Sequence, residues 1–312
     1  MSAELAAQAL APWGGAAAPP RLVTARENAV YEVRLTGGAH GALRLHRAGY
    51  REEEAIRAEL DWTARLAAEG FPCPAPIPAR DGAPMARAPD GRPASVVSWV
   101  SGRPLSAPDP ETFRRLGALI ARLHEVTDAL AARDPALDRR RFPDWTAETL
   151  LGEAPAWGRF WENPGLTPDE RALMQIVRRR ARARLEEAAP ETGLIHADLL
   201  SDNVMDDGQR LWIIDFDDCG HGPRGYDLGT ALVSHAESAT YPDLAAALVA
   251  GYASRRGSAA RLAAELPLWT MLRALASCGW VLSRTEAGDP RRRAYADRAM
   301  RLAERWLAKE GA

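Results

Sequence analysis

Leu194-Ile195-His196-Ala197-Asp198-Leu199-Leu200-Ser201-Asp202-Asn203-Val204-Met205, then the turn Asp206-Asp207-Gly208, then Arg210-Leu211-Trp212-Ile213-Ile214-Asp215-Phe216-Asp217, is the stretch from which the fold can be read. A short apolar run reads as a strand that delivers His196 and Asp198 into a loop. Asp207-Gly208 marks a hairpin turn, and the apolar residues after it form a strand ending on Asp215. Asp198, Asn203 and Asp215 therefore converge at strand ends. Phosphoryl transfer needs such a set, because the protein mainly positions the reactants and neutralises phosphate charge. One carboxylate must take the proton of the acceptor hydroxyl, while hard oxygen ligands hold Mg²⁺. Asp198 suits the first task, and Asn203 with Asp215 the second. An amide beside a carboxylate supplies oxygen without a further full charge to repel a triphosphate. Taken singly, Asp198 reads as a cap or turn residue and His196 as a core histidine. Their joint spacing, H-x-D-x-x-x-x-N and then twelve residues to a strand-terminal Asp, carries the reading. His196 is expected to orient the loop. Asp217 is either a second metal-site acid or a turn residue; Asp202, Asp206, Asp207 and Asp218 read as turn or surface acids.

Upstream, residues 30–35 and 42–46 alternate with period two around Gly37-Gly38 and predict an antiparallel hairpin. A helix is expected over 51–69, ending at Gly70, and a further strand over 94–100. These make a small nucleotide-binding lobe over residues 21–100, preceded by an Ala- and Pro-rich tail or loosely docked helix over 1–20. Residues 25–31, including Asn28, are the candidate phosphate-covering turn, whose backbone N–H groups can face phosphate oxygens. The next strand should supply a cation for the α- and β-phosphates, paired with a glutamate on the following helix. By position these are Arg44 and Glu59, with Arg34 and Arg47 as other cations and a surface acid as the plain reading of Glu59. Ser98-Trp99-Val100 is the expected hinge, where the backbone of Ser98 and Val100 would meet adenine. Beyond Pro104 long helices predominate. Asp109-Pro110-Glu111 and Thr167-Pro168-Asp169-Glu170 each open one with a cap, a first-turn proline and early acids. Three more are expected, beginning at Pro242, spanning 266–283, and running from Pro290. Residues 101–312 thus form a helical lobe with the catalytic loop and acceptor site. Its tryptophans Trp157, Trp161, Trp269 and Trp280 read as core, with one or two available to line an acceptor pocket. The fold class is α+β: a bilobal kinase-like fold, with a small mixed lobe built on an antiparallel sheet and a larger helical one.

The 312 residues are 46% hydrophobic, enough for a sizeable core. Cys73, Cys219 and Cys278 are scattered, without the spacing of a disulfide framework or a zinc site. The first twenty residues lack the basic start of a secretory signal, and no run approaches the roughly 20 apolar residues of a membrane span. A cytoplasmic protein with no membrane partner is expected. Net charge is −2, which removes the global electrostatic argument for nucleic acid. The runs 139–141 and 178–180 read as solvated arginines. Only one of the 40 basic residues is a lysine, Lys309. Nothing in the pattern bears on oligomeric state.

On these motifs the sequence resembles the aminoglycoside phosphotransferase and choline kinase-like superfamily, related in fold to protein kinases. His196-Ala197-Asp198 through Asn203 looks like the catalytic loop, and Asp215-Phe216-Asp217 stands where protein kinases carry D-F-G. Residues 215–223, with Tyr226-Asp227-Leu228-Gly229, are similar to a bacterial subgroup that includes homoserine kinase-like enzymes and a stress-response Ser/Thr kinase. The resemblance implies ATP and Mg²⁺ as cofactors and Asp227 as a buttress of the catalytic loop. It also makes His124 structural, and lysine the usual residue at position 44, where arginine brings a bulkier, bidentate fork. Ala197 stands where phospho-regulated kinases carry arginine, so no switch of that kind is expected. The expected activity is transfer of a γ-phosphate to a small-molecule hydroxyl. From Ser234 onward there are 12 basic and 8 acidic residues, which argues against a polycationic aminoglycoside. A Ser/Thr protein kinase, an antibiotic phosphotransferase and, because of Arg44, a nucleotide-binding pseudokinase are the alternatives.

Overall fold

The alternation read between residues 29 and 45 is realised as two adjacent strands whose odd-numbered side chains turn into one core. In the computed structural model, which describes residues 2–25, 28–49, 51–105, 109–134, 137 and 141–310, a helix α1 (Ala3–Ala9) precedes them. The sheet runs β1 (Arg21–Ala25), β2 (Ala29–Arg34), β3 (His40–Leu45), β5 (Pro93–Ser98), β4 (Ala86–Arg87), antiparallel throughout. Tyr31, Val33, Leu43 and Leu45 are buried on one face together with Ala6, Ala9, Leu10 and Trp13. The first twenty residues are therefore not a tail. Ser2 caps α1 through its side chain, and the Trp13 indole N–H donates to the Ile77 carbonyl at 2.7 Å. Burial of a whole tryptophan outweighs the weak local signal of an alanine-rich segment. The other face of β3 carries Ala42 and Arg44. There Ala42 and Val97 pack against Ile56 and Leu60 of α2 (Glu53–Ala68).

The chain divides into two compact units: Met1–Pro104 with Ala129–Phe142 and Met205–Asp217, and the remainder. The first also holds a small sheet of β6 (Arg103–Pro104), β8 (Val204–Asp206) and β9 (Leu211–Ile213). Asp207 closes its hairpin, accepting the amides of Gln209 and Arg210 and the Trp212 indole N–H.

In the second unit β7 (Thr192–Ile195) pairs antiparallel with β10 (Gly220–Pro223). The long helices are α3 (Pro110–Arg133), whose last turn groups with the first unit, α5 (Pro168–Ala188), α7 (Tyr241–Ala253), α8 (Ala259–Trp280) and α9 (Pro290–Glu310). The expected starts near residues 109, 167, 242 and 290 are realised within a residue or two. Helix α8 begins seven residues before the expected Leu266 and runs through Pro267. Leu266 and the residues from Leu268 to Gly279 are buried along it, a packing gain large enough to tolerate one missing backbone bond. Two helices carry no periodic signal: the short α4 (Ala147–Leu151) and α6 (Gly225–Val233), in which every residue from Tyr226 onward is buried. Gly229 lets α6 meet α8 backbone to backbone, since a Cβ there would lie 2.3 Å from the Trp269 carbonyl carbon. Among the described residues no helix is long and apolar enough to cross a membrane.

Candidate active site

In the first unit, pairing of β3 with β5 and packing of α2 over them place Arg44 opposite Glu59. Both are buried, and Arg44 Nη1 donates to Glu59 Oε1 at 2.6 Å. Arg44 Nη2 donates to Asp215 Oδ1 at 3.0 Å and also to Asp217 Oδ1. The Asn28 amide donates to Asp217 Oδ2 and accepts the Arg47 backbone N–H at 3.2 Å, while Arg51 reaches the Asp217 carbonyl. Asp217 is thus neither a loose turn residue nor an exposed ligand. It is the chief anion on Arg44, and of the three arginines weighed for the phosphate role only Arg44 stands in this cluster. Arg26 and Glu27 of the expected phosphate-covering turn lie outside the described residues, as do Arg139 and Arg140.

Three carboxylates around one guanidinium set the electrostatics. Burial works against the charge on Arg44, and Asp217, Glu59 and Asp215 together outweigh it, holding the guanidinium well above its ordinary value. Asp217 is likewise opposed by burial, yet Arg44, His46, Arg51 and Asn28 bring it below the usual carboxylate range. Glu59 has only Arg44 to oppose its burial and feels the Asp217 charge, so its carboxyl is pushed up. His46, buried against Ser95 Oγ at 2.9 Å, is pushed down to about 4, first by burial and then by Arg44. Asp215 differs from its neighbours: its side chain is 50% exposed and its backbone is left-handed, φ 62°. Surplus negative charge with one carboxylate half open to solvent is a donor set that suits a hard divalent cation. A non-glycine residue held at positive φ is a strain that concentrates at functional sites.

In the second unit, β7 delivers His196 and Asp198 into a loop that Asp227 of α6 holds from below. Asp227 is wholly buried and accepts the amides of His196 at 3.0 Å and Ala197 at 2.7 Å, with a third bond to His124 Nε2 at 3.0 Å. Ala197 is left-handed, φ 66°, and these charge-assisted bonds offset that cost. Burial alone would raise the Asp227 carboxyl, but the His124 bond and the backbone donors hold it below the usual range. Burial in turn lowers His124, whose Nδ1 faces the Tyr252 hydroxyl at 2.9 Å. The Asp198 amide donates to His196 Nδ1 at 3.2 Å, the orienting part expected of that histidine. Asn203 Nδ2 donates to the Asp198 carbonyl at 2.8 Å and to Asp198 Oδ2 at 2.9 Å. Its Oδ1, by the geometry of a planar amide, points the other way and offers a hard ligand oxygen.

The structure therefore brings Asn28, Arg44, Glu59, Asp215 and Asp217 together in one unit, and His196, Asp198, Asn203 and Asp227 in the other. Among the described residues, Ser98 and Val100 make no hydrogen bond with the Arg44 cluster of their own unit. The Ser98 N–H is taken by the Ala75 carbonyl at 2.7 Å, whereas the Val100 amide donates to no protein group among the described residues. Trp99 stacks on His40, ring centroids 5.2 Å apart. One residue was missed altogether: Arg273 of α8, only 5% exposed, whose Nη2 donates to Asp198 Oδ1 at 2.6 Å. The signal was a single charge in the apolar run 266–279, spaced four residues from Trp269 and from Ser277.

Residues 21–266 match the family model of the phosphotransferase enzyme family. A homoserine kinase of Methylobacterium radiotolerans is 32% identical over 247 residues, covering 78% of this chain and 73% of that protein. A homoserine kinase of Sinorhizobium medicae is 32% identical over 212 residues, 65% of this chain and 60% of the relative. Among solved structures, the microcompartment-associated aminopropanol kinase superposes with a TM-score of 0.87 at 33% identity, covering 99% of each chain.

Proposed function

This chain belongs to the phosphotransferase enzyme family, and from that premise we propose that it moves the γ-phosphate of ATP, with Mg²⁺, to a hydroxyl group of a small molecule. Asp198 would accept the hydroxyl proton; Asn203 and Asp215 are the residues that would hold Mg²⁺ through an oxygen each, and the ion would supply neutralisation of phosphate charge. Arg44, prepared by Glu59 and Asp217, faces the α- and β-phosphates, and the Val100 amide meets the adenine edge. The Asn28 side chain acts through Asp217, leaving its backbone for phosphate. Asp227 and His196 hold the loop that carries Asp198.

The observation that carries this reading is the placement of the Asp198 carboxylate. One oxygen is fixed by Arg273 and the other by Asn203, and each oxygen keeps a second lone pair for a hydroxyl proton. A pseudokinase would have no use for so constrained a base. A small acceptor is favoured because homoserine kinases and an aminopropanol kinase are the relatives that match this chain at 32–33% identity. The test is ATP turnover with Mg²⁺ across alcohols, amino alcohols, hydroxy acids, aminoglycosides and a generic protein substrate. Transfer to one or more small hydroxyl compounds, lost by at least about 10³-fold in Asp198→Ala, is expected. An Asp198→Ala protein that transfers at the wild-type rate refutes the assignment.

A further inference from the structure

Arg273 is more fully buried than its contacts require. Its guanidinium has five N–H donors, of which Nη2 meets Asp198 at 2.6 Å and Nη1 meets Ser277 Oγ at 2.8 Å. Nε is buried and has no hydrogen-bond partner among the described residues. The group lies 4.4 Å from the ring centre of Trp157, which fixes its plane and covers one face without accepting a hydrogen bond. A buried N–H without an acceptor costs about 1–3 kcal/mol, and a guanidinium with donors to spare beside a catalytic base is built to receive another anion. Planar N–H forks pair with carboxylates through two parallel bonds.

We propose that Arg273 is the specificity-determining residue of the acceptor site and that it selects hydroxyl compounds bearing a carboxylate a few bonds from the hydroxyl. The proposal rests on the reading of Asp198 as the base, because the hydroxyl must sit at Asp198 for the carboxylate to reach the neighbouring guanidinium. The fork's remaining donors take the carboxylate, and Trp157 packs on the acceptor's short carbon chain. An acceptor whose only charge is an ammonium gains nothing from Arg273 and is repelled by it. Among hydroxyl acceptors the site therefore favours hydroxy acids and hydroxy amino acids over amino alcohols.

Two acceptor pairs that differ only in the carboxylate test this: L-homoserine against 3-amino-1-propanol, and 4-hydroxybutyrate against 1-propanol. The kcat/KM ratio within each pair is measured for the wild type, Arg273→Gln and Arg273→Lys. The wild type is expected to favour the carboxylated member by roughly 100-fold, the worth of a charge-assisted pair. Arg273→Gln should bring the ratio to within about threefold of unity, with Arg273→Lys between, because it keeps the charge and loses the fork. A wild type without preference in either pair overturns the proposal. So does an Arg273→Gln enzyme whose rates on both members fall equally, since that marks a residue that only positions Asp198. Should the variants not fold, competition on the wild type decides: butyrate should raise the apparent KM for the acceptor and propylamine should not, and an inert butyrate overturns the assignment. Asp198→Ala, run alongside, separates the two readings. Unchanged transfer there refutes the base, while a dead Asp198→Ala with an indifferent wild type refutes only the role of Arg273.

Discussion

Replacing Arg44 by methionine, similar in length but without charge, strands three carboxylates that the guanidinium now holds. Glu59 and Asp217 have side chains 6% and 13% exposed, whereas Asp215 can turn to water. Removing one partner of a buried ion pair costs about 3–5 kcal/mol, and here one cation serves two buried anions, so the upper half of that range applies. Asn28 and Arg51 still reach Asp217, which keeps the loss from doubling. At about 2–4 °C per kcal/mol for a unit of this size, the first unit should melt roughly 10 °C lower. The pH dependence has a definite sign. In the wild type the Asp217 carboxyl lies below its ordinary value of 3.8, so its contribution is present above that pH and is lost as pH falls through the folded value. Without Arg44, burial raises both carboxyls, their folded forms prefer to be protonated, and the penalty grows as pH rises. The deficit should therefore be largest at pH 8 and shrink towards pH 5. Adding Glu59→Gln removes one stranded charge and should recover about half of it. Thermal melts of the three proteins across that range, followed by tryptophan fluorescence, provide the measurement. An Arg44→Met protein that melts with the wild type at pH 8, or whose deficit is independent of pH, refutes this account of the cluster.

His46 supplies a second acid-sensitive element. Its folded value of about 4 lies below the ordinary 6.5, so its contribution is complete above pH 6.5 and is lost as pH falls towards 4, about 3 kcal/mol in all. His46→Gln should flatten urea stability over that interval, and an unchanged slope excludes the histidine as its source. Asp227→Asn keeps the shape of the buttress while removing the charge that the His196 and Ala197 amides share. It should lower kcat by about 10²–10³-fold with the KM for ATP little changed, and equal losses in both would mean general unfolding.

Much of the candidate site was legible because its residue types stand at the spacings that phosphoryl transfer would use. The step from His196 to Asn203 and on to Asp215 is read directly from residue type and spacing, and Arg44 from its place on the strand after the candidate phosphate-covering turn. The β2–β3 hairpin was legible for a similar reason, since period-two burial writes itself directly into the sequence. What escaped was set by tertiary partners. The alanines of α1 have little periodicity, and only the sheet against which Leu10 and Trp13 pack reveals that they are core. Helix α6 is buried on all sides, so no polar stripe marks it. The weight of Asp217 depends on Arg44, which lies 173 residues away in the chain. Arg273 was hidden by distance too, although a lone charge in an otherwise apolar helix was a sign that some partner had to exist.

The charged groups named in each cluster find partners within their own unit. Arg44 is prepared by Glu59, Asp215 and Asp217, all from the first unit, while Asp198 is prepared by Arg273, Asn203 and Asp227 from the second. Arginine at position 44 is well supported by that set of acids. Its planar fork engages Asp217 in addition to Glu59 and Asp215. On the proposed reading, replacing Arg273 alters which hydroxyl is presented to Asp198, while the acids around Arg44 keep their own partner.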